Sequence, residues 1–370
     1  MSRVLMFIVF LSVVSLVYFS MHYFVYRNIT RSIPVSGTVS TVLMVFFIVS
    51  GLSFFLSQFF SRVLHLYWLN YYAHIWLGVI SISSFIFFIQ WLLAKMLPQQ
   101  KRLLAIMALA VIGIVSVYSL VNGLQRPVVR RFTIPLKNLS KDLAGFSIVQ
   151  LSDLHLESFK SKGVIEYIVD TVNALKPDLI VITGDLLDSN ICDDEYFCEN
   201  LLNLQAPHGV IAVTGNHEFY AGLDIFMYMA GQANLRVLRN DMAVIADELQ
   251  IIGLDDDSAR QFSLKGPDLA AVIEKCDPKK PIIVLYHRPT GFDEAVKRGV
   301  GLQLSGHTHA GQIPPLDLIV CLVFKYHTGL FEKEGSYIYT SPGTGFWGPP
   351  MRLFSHCEIT HFTLQPQKSR

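Results

Sequence analysis

Five short segments place histidine, aspartate or asparagine directly after a run of apolar, strand-like residues. They are Asp153-Leu-His155, Gly184-Asp185-Leu-Leu-Asp188, Gly215-Asn216-His217-Glu218, His287 and Gly306-His307-Thr-His309. Imidazole and carboxylate are ligands that suit zinc, manganese and iron. Two carboxylates, one amide and three or four imidazoles suffice for two metals that share Asp185. The glycine before Asp185 permits a sharp turn, so the carboxylate can point into a crevice rather than into the core. Alternation within Asp-x-His and His-x-His predicts both ligand side chains on one side of an extended backbone. Nine histidines follow Leu124 and five of them fall in these motifs, a concentration that unrelated turn residues do not explain.

Elements must carry these residues to one place. Short apolar runs at 146–151, 179–183, 210–214, 281–286 and 302–305 read as buried strands. Amphipathic stretches at 164–175, 194–204, 267–276 and 292–298 read as helices between them. This alternation predicts an α/β domain whose sheets are covered by helices. Further strands are expected at 237–238, 244–246, 250–254, 336–339 and 358–364. The nearly all-apolar run 316–324, close after His309, reads as a buried strand or as a lip that touches lipid or an acyl chain. Arg288, next to His287, reads as a surface residue or a phosphate contact. The Gly/Pro-rich stretch 343–350 reads as a plain connection or a cleft-lining loop.

The first third of the chain is different. Of 370 residues 52% are hydrophobic and mean hydropathy is +0.42, too apolar for one soluble domain. Runs at 4–26, 37–60, 72–94 and 103–123 each approach or exceed the ~20 residues that cross a bilayer. None contains Asp or Glu, so no intramembrane proton or ion relay stands out. His22 and His74 lie near run ends, where contact with the interface is expected. The expected organisation is a four-span anchor over 1–124, a linker over 125–144 and a catalytic domain over 145–370. Seven basic residues precede Leu124, leaving 23 basic against 29 acidic in the rest, a formal charge of −6. No nucleic-acid partner is expected for such a domain. Basic residues split five and five across the two sides of the spans. The Arg126, Arg130, Arg131 cluster after the last run points to a cytoplasmic domain on a multi-pass cell-membrane protein. Five cysteines without CxxC spacing decide little, although Cys192 and Cys198 would pair in an oxidising compartment.

From about Gly145 to Leu364 the chain resembles the calcineurin-like metallophosphoesterases, whose five motifs are matched in order by the segments above. The lead-in Ile148-Val-Gln-Leu-Ser-Asp-Leu-His155 and Gly306-His-Thr-His-Ala-Gly-Gln312 look most like the membrane-anchored bacterial branch. The resemblance implies a four-layer α/β/β/α sandwich, preceded here by a bundle of four transmembrane helices. It implies a first metal on Asp153, His155, Asp185 and His309, and a second on Asp185, Asn216, His287 and His307. Two divalent ions, manganese, zinc or iron, would clamp an in-line displacement and acidify a bridging water to hydroxide. His217 would protonate the leaving alkoxide, with Asp188 orienting its ring. Asp188 or Glu218 might alternatively do no more than cap a turn.

The expected function is therefore hydrolysis of a phosphomonoester or phosphodiester at a membrane, a lipid-linked phosphate being one candidate substrate. The rival reading is a membrane receptor or transporter whose metal domain is only regulatory. The sequence does not set oligomeric state.

Overall fold

The computed structural model describes residues 3–64, 66–156, 163–188 and 194–367, and these divide into two compact units. The Cys192–Cys198 pairing falls outside them, because Cys192 is not among the described residues.

One unit holds four helices, α1 (Arg3–Ser32), α2 (Gly37–Leu64), α3 (Tyr67–Met96) and α4 (Lys101–Gly123), together with Gln312–Leu318 and Gly348–Phe354. Among the described residues three stretches are long and apolar enough to cross a membrane: Gly37–Ser57, Tyr67–Met96 and Pro98–Gly123. Their outward residues, such as Val42, Val49, Leu92, Ile114 and Val117, stay exposed, as lipid-facing side chains do. Small and polar residues face inward instead. Ser50 Oγ lies 2.8 Å from Tyr72 Oη, and Tyr26 Oη lies 2.9 Å from Ser40 Oγ. His22 and His74 are buried among these helices, which corrects their expected place at the interface. His22 Nδ1 donates to Tyr18 O at 2.8 Å, and its Nε2 accepts from Trp76 Nε1 at 2.8 Å. A histidine with both nitrogens satisfied can sit inside a bundle.

Two non-helical segments complete this unit. Ser81 Oγ in α3 donates to Pro314 O at 2.8 Å, and Asn122 Nδ2 near the end of α4 donates to Arg352 O at 2.9 Å. Ile82 shares a cluster with Ile313 and Met351.

The other unit carries two six-stranded mixed sheets. In chain order its elements are β1 (Val128–Leu136), β2 (Ser147–Leu151), α5 (Val164–Leu175), β3 (Leu179–Ile182), α6 (Asp194–Leu202) and β4 (Val210–Ala212). Then come α7 (Asn216–Ala221), α8 (Leu223–Gln232), β5 (Arg236–Val237), β6 (Asp241–Ile245), β7 (Leu249–Gly253), α9 (Leu269–Ile273) and β8 (Ile282–Leu285). The last are α10 (Phe292–Lys297), β9 (Leu302–Ser305), α11 (Leu316–Val323), β10 (Gly329–Lys333), β11 (Ser336–Thr340) and β12 (Glu358–Pro366). The first three residues of α11 belong to the helical unit and the rest to this one. One sheet runs β1-β12-β2-β3-β4-β5, the other β10-β11-β9-β8-β7-β6. In the first, β2 to β5 pair in parallel; in the second, β7 to β9 do.

Period-two alternation explains the layering. Ile148, Leu179, Val181 and Ile211 of the first sheet meet Leu249, Ile251, Ile283, Leu285 and Leu304 of the second in one core. The alternate residues Val149, Leu151, Ile180 and Ile182 face α5, α6 and α8 through Ile168, Val172, Phe197 and Phe226. On the far side, Ile252, Ile282 and Val284 pack with Val272 and Ala295 of α9 and α10. Both sheets are thus helix-covered outside and apolar between. Gln150 links them where they approach the site, its Nε2 donating to Thr183 Oγ1 at 2.8 Å and Ser305 O at 2.9 Å.

Two expectations need correction. The stretch 125–144 is not a bare linker, since nine of its residues form β1 in parallel register with β12, from Val128 opposite Glu358 to Leu136 opposite Pro366. Its Pro135 is tolerated because β1 is an edge strand. The run 316–324 is not a buried strand: 316–323 is the helix α11, and none of its residues is buried. Because Ile134 of β1 sits fully buried in the inter-sheet core, Ile134→Ala should destabilise the sheet unit by about 2–4 kcal/mol. Denaturant unfolding of the full chain would measure this, and a linker residue would show almost nothing.

Candidate metal centre

Each chemistry-bearing segment lies just past the carboxyl end of a parallel strand: β2, β3 and β4 in one sheet, β8 and β9 in the other. Loops at that end of parallel strands converge on a crevice. The backbone there is not extended as expected. Asp153, His155, Asp185, His307 and His309 all have positive φ, between 45° and 73°. These are the residues other than glycine that visit the left-handed region most readily, yet each such position costs about 1–3 kcal/mol. The side chains therefore converge because the chain coils under them, and strand alternation is not the cause. Close packing enforces the coil: a Cβ on Gly306 would collide with Ser152 Oγ and Asp153 Oδ2, and one on Gly215 with Asp185 Oδ1.

Three groups of possible ligands result: Asp153, His155 and His309; His155, Asp185 and His217; Asp185, His287 and His307. His155 Nε2 lies 3.1 Å from His309 Nε2, and His307 Nδ1 lies 3.1 Å from His287 Nε2. Asp185 Oδ2 is 3.2 Å from His287 Nε2 and 3.7 Å from His155 Nε2, so it is common to two groups. His309 Nε2 is 3.4 Å from Asp153 Oδ1. Asn216 is buried, and its Oδ1 has no hydrogen-bond partner. A buried amide oxygen left without a donor is costly unless something else satisfies it, and a cation would. Facing imidazole nitrogens, shared carboxylate and orphan oxygen all fit a divalent metal pair.

The electrostatics agree with that fit. Burial lowers the pKa of His155 to about 4 and that of His307 to about 3, keeping both neutral, as ligands must be. Burial also works against charge on His287, but Asp185, Asp153 and Asp256 outweigh it and raise its pKa to about 10. Its Nδ1 donates to Thr183 O at 2.9 Å, which leaves Nε2 towards Asp185. Burial would raise the pKa of Asp185, yet charge on His287 and their hydrogen bond hold it well below the usual carboxylate range. Asp153 is pushed up to about 6 by burial first, opposed by His287 and reinforced by Asp185. Carboxylates packed this densely need positive charge, which in the protein alone falls on one imidazole.

A family model described as calcineurin-like phosphoesterase matches residues 146–311. A metallophosphoesterase of Aquifex aeolicus is 35% identical over 240 residues, covering 64% of this chain and 91% of that protein. The chain belongs to the calcineurin-like metallophosphoesterases. A metallophosphoesterase of Helicobacter pylori strain J99 is 36% identical over 248 residues, 66% of each chain. A Danio rerio protein described as a transmembrane protein with metallophosphoesterase domain is 34% identical over 272 residues, 70% of this chain and 62% of that one. The chain thus spans about two thirds or less of the length of those two relatives. They come from a bacterium and a vertebrate, so membership does not narrow to a bacterial branch. The family is one of metal-dependent phosphoester hydrolases.

Within this metallophosphoesterase, His217 stands apart from the orphan oxygen and the facing imidazoles. Its Nδ1 lies 3.2 Å from Asp188 Oδ1, and both side chains are 13% exposed, enough to meet a substrate. Burial lowers its pKa, but the hydrogen bond to Asp188 and nearby carboxylate charge win and raise it above that of an ordinary imidazole. Arg288 is neither a plain surface residue nor open to phosphate. It pairs with Asp256 at 2.7 and 3.1 Å and with Ser258 Oγ at 3.2 Å. The stretch from Gly343 to Trp347 does line the site, since Gly345 N donates to Asp153 O at 3.1 Å and the Trp347 ring lies 6.2 Å from His217.

Glu218 is the residue to which sequence gave no role beyond capping. Its carboxylate is fully buried and accepts from the backbone nitrogens of Gly215 (2.6 Å), Asp185 (2.9 Å), Leu186 (2.8 Å) and Leu187 (3.1 Å). It ties the loop after β3 to the loop after β4. The signal was present, because Glu three residues past Gly215 occupies the third position of a capping box. Glu218→Ala would leave four buried N–H groups without an acceptor, and at about 1–3 kcal/mol for each such group a loss of at least ~3 kcal/mol is expected. Glu218→Gln, which keeps one oxygen acceptor, should lose less. Chemical unfolding of both variants checks the order.

Proposed function

We propose that this chain is a membrane-anchored, dinuclear-metal phosphoesterase acting on a phosphomonoester or phosphodiester, lipid-linked esters included. In this reading Asp153, His155, Asp185 and His309 hold one ion, and Asp185, Asn216, His287 and His307 the other, with Asp185 shared. The observation that carries it is the orphan Oδ1 of Asn216, buried beside the Asp185, His287 and His307 group at the end of the same strand layer. Manganese, zinc or iron all suit this mixture of imidazole, carboxylate and amide. When bound, a metal pair supplies Lewis acidity at the phosphoryl oxygen and acidifies water.

The chain's own groups supply the rest. His217, polarised by Asp188, is placed to give a proton to the leaving oxygen, a role favoured by its raised pKa. Asp185 Oδ1 accepts from His217 N at 2.9 Å, which sets the ring's position relative to the shared carboxylate. Trp347 and Tyr220, with ring centroids 6.2 and 5.7 Å from that of His217, shield this side from water. The anchor in this reading has four spans, α1 included, and the basic residues Arg126, Arg130 and Arg131 after α4 favour a cytoplasmic sheet unit.

Purified protein reloaded with manganese should hydrolyse bis-p-nitrophenyl phosphate or p-nitrophenyl phosphate, and chelation should abolish this. Asp185→Asn should lose metal and activity together. His217→Ala should retain two metals per chain by elemental analysis while turnover falls about 10²–10⁴-fold. Loss of metal in that variant would make His217 a ligand, as its grouping with His155 and Asp185 would then require. For topology, a cysteine at the exposed Lys279 should react with a membrane-impermeant maleimide only after cells are permeabilised. Labelling of intact cells would place the sheet unit outside.

A further inference from the structure

The exposed apolar helix α11 has no role in the metal centre. All eight of its residues, Leu-Asp-Leu-Ile-Val-Cys-Leu-Val, are at least partly exposed, Leu322 to 87% and Val323 to 65%. Only Asp317 among them is charged. Helices in water hide such a surface, and a large apolar patch left open marks an interaction site. Its position narrows the partner. Leu316–Leu318 belong to the compact unit of apolar helices, and Ile313, just before, packs with Ile82 of α3. In that unit Pro350 lies against Gly123, the last residue of α4, and Ser81 of α3 bonds Pro314. The segment leading into α11 is thus seated where the last apolar helix ends, the level of a bilayer surface.

The other end of α11 adjoins the chemistry. Phe324, directly after it, meets the His307 ring edge-on at 5.6 Å. On the far side of the cluster the half-exposed Trp347 and Tyr220 stand against His217. Apolar groups therefore border both histidine flanks of the metal centre, and the exposed ones continue along α11.

We propose that α11 is a lip inserted among the acyl chains at the bilayer surface, and that it opens the metal cleft towards phosphoesters carried by lipids. Leu316, Leu318, Ile319, Leu322 and Val323 supply the buried apolar area. This deepens the phosphoesterase reading and rests on it for the substrate class alone; the contact with lipid stands on its own.

Cys321 is exposed within α11 and offers a label site. Full-length protein carrying Cys192→Ser and Cys276→Ser would be labelled at Cys321 with a bimane maleimide and reconstituted into phosphatidylcholine vesicles. Bromine on the lipid acyl chains should quench that label at least twofold more than the same label at Lys279→Cys in a Cys321→Ser background. Adding Leu322→Glu and Ile319→Glu should cut the difference by half or more. Equal quenching at the two positions would overturn the lip, as would quenching that ignores the two glutamates. Hydrolysis of bis-p-nitrophenyl phosphate by the same vesicles tests the phosphoesterase reading separately. If it is absent while Cys321 is quenched, the enzyme reading fails and the lip survives.

Discussion

The site depends on one buried carboxylate that binds no ligand. Glu218 gathers the backbone nitrogens of Gly215, Asp185, Leu186 and Leu187, and so holds two loops from adjacent strands in one fixed relation. Burial in the first place, and the charge of Asp185 in the second, push its pKa up to about 7. Its hydrogen bonds work in the opposite direction, since N–H donors favour the ionised form. The strained left-handed backbone at Asp185 persists because of this surrounding network. Asp185 in turn accepts from His217 N and faces His287 and His155. The order of dependence runs from scaffold carboxylate to shared carboxylate to imidazoles.

The same logic repeats at the other flank. Asp153 accepts from Ser152 Oγ and, with both oxygens, from His307 N at 3.0 and 3.1 Å, so it joins the loop after β2 to the loop after β9. One loop belongs to each sheet, and Gln150 bonds across the same seam. Two sheets packed through an apolar core can slide by small amounts at little cost. Polar bonds across their edge remove that freedom where ligand geometry must hold to a few tenths of an ångström.

What could be read in the sequence follows from period and composition. The strands before each motif were legible because β-branched residues alternate between two buried faces, and α5 was legible from its amphipathic period. Motif residues were legible because polar groups that end apolar runs have few structural uses. The left-handed backbone under those residues was not legible, because it is imposed by glycine-tight contacts such as Gly306 against Asp153, made between distant segments. β1 was missed because two arginines and a proline obscure a strand that pairs on one side only. The helix at 316–323 was missed for the reverse reason: an unbroken apolar run carries no period that separates helix from strand. Histidines in the bundle were misplaced because their partners, Tyr18 O and Trp76 for His22, follow from the packing.

Charge closes the argument about the centre. Asp153, Asp185 and Glu218 are each at least 98% buried, and only His287 among the clustered imidazoles is held cationic by its surroundings. An isolated buried carboxylate is costly by several kcal/mol after relaxation, and one imidazolium cannot neutralise three. Hydrogen bonding meets the need at Glu218, where four N–H groups converge. Asp185 has one backbone donor to its side chain and otherwise faces imidazole nitrogens. A site built only for stability would have paired these acids with arginine, as it does with Arg288 and Asp256 and with Arg239 and Asp255 a few residues away. Leaving the shared carboxylate to nitrogens that are mostly neutral makes sense for a chain that expects its positive charge from outside.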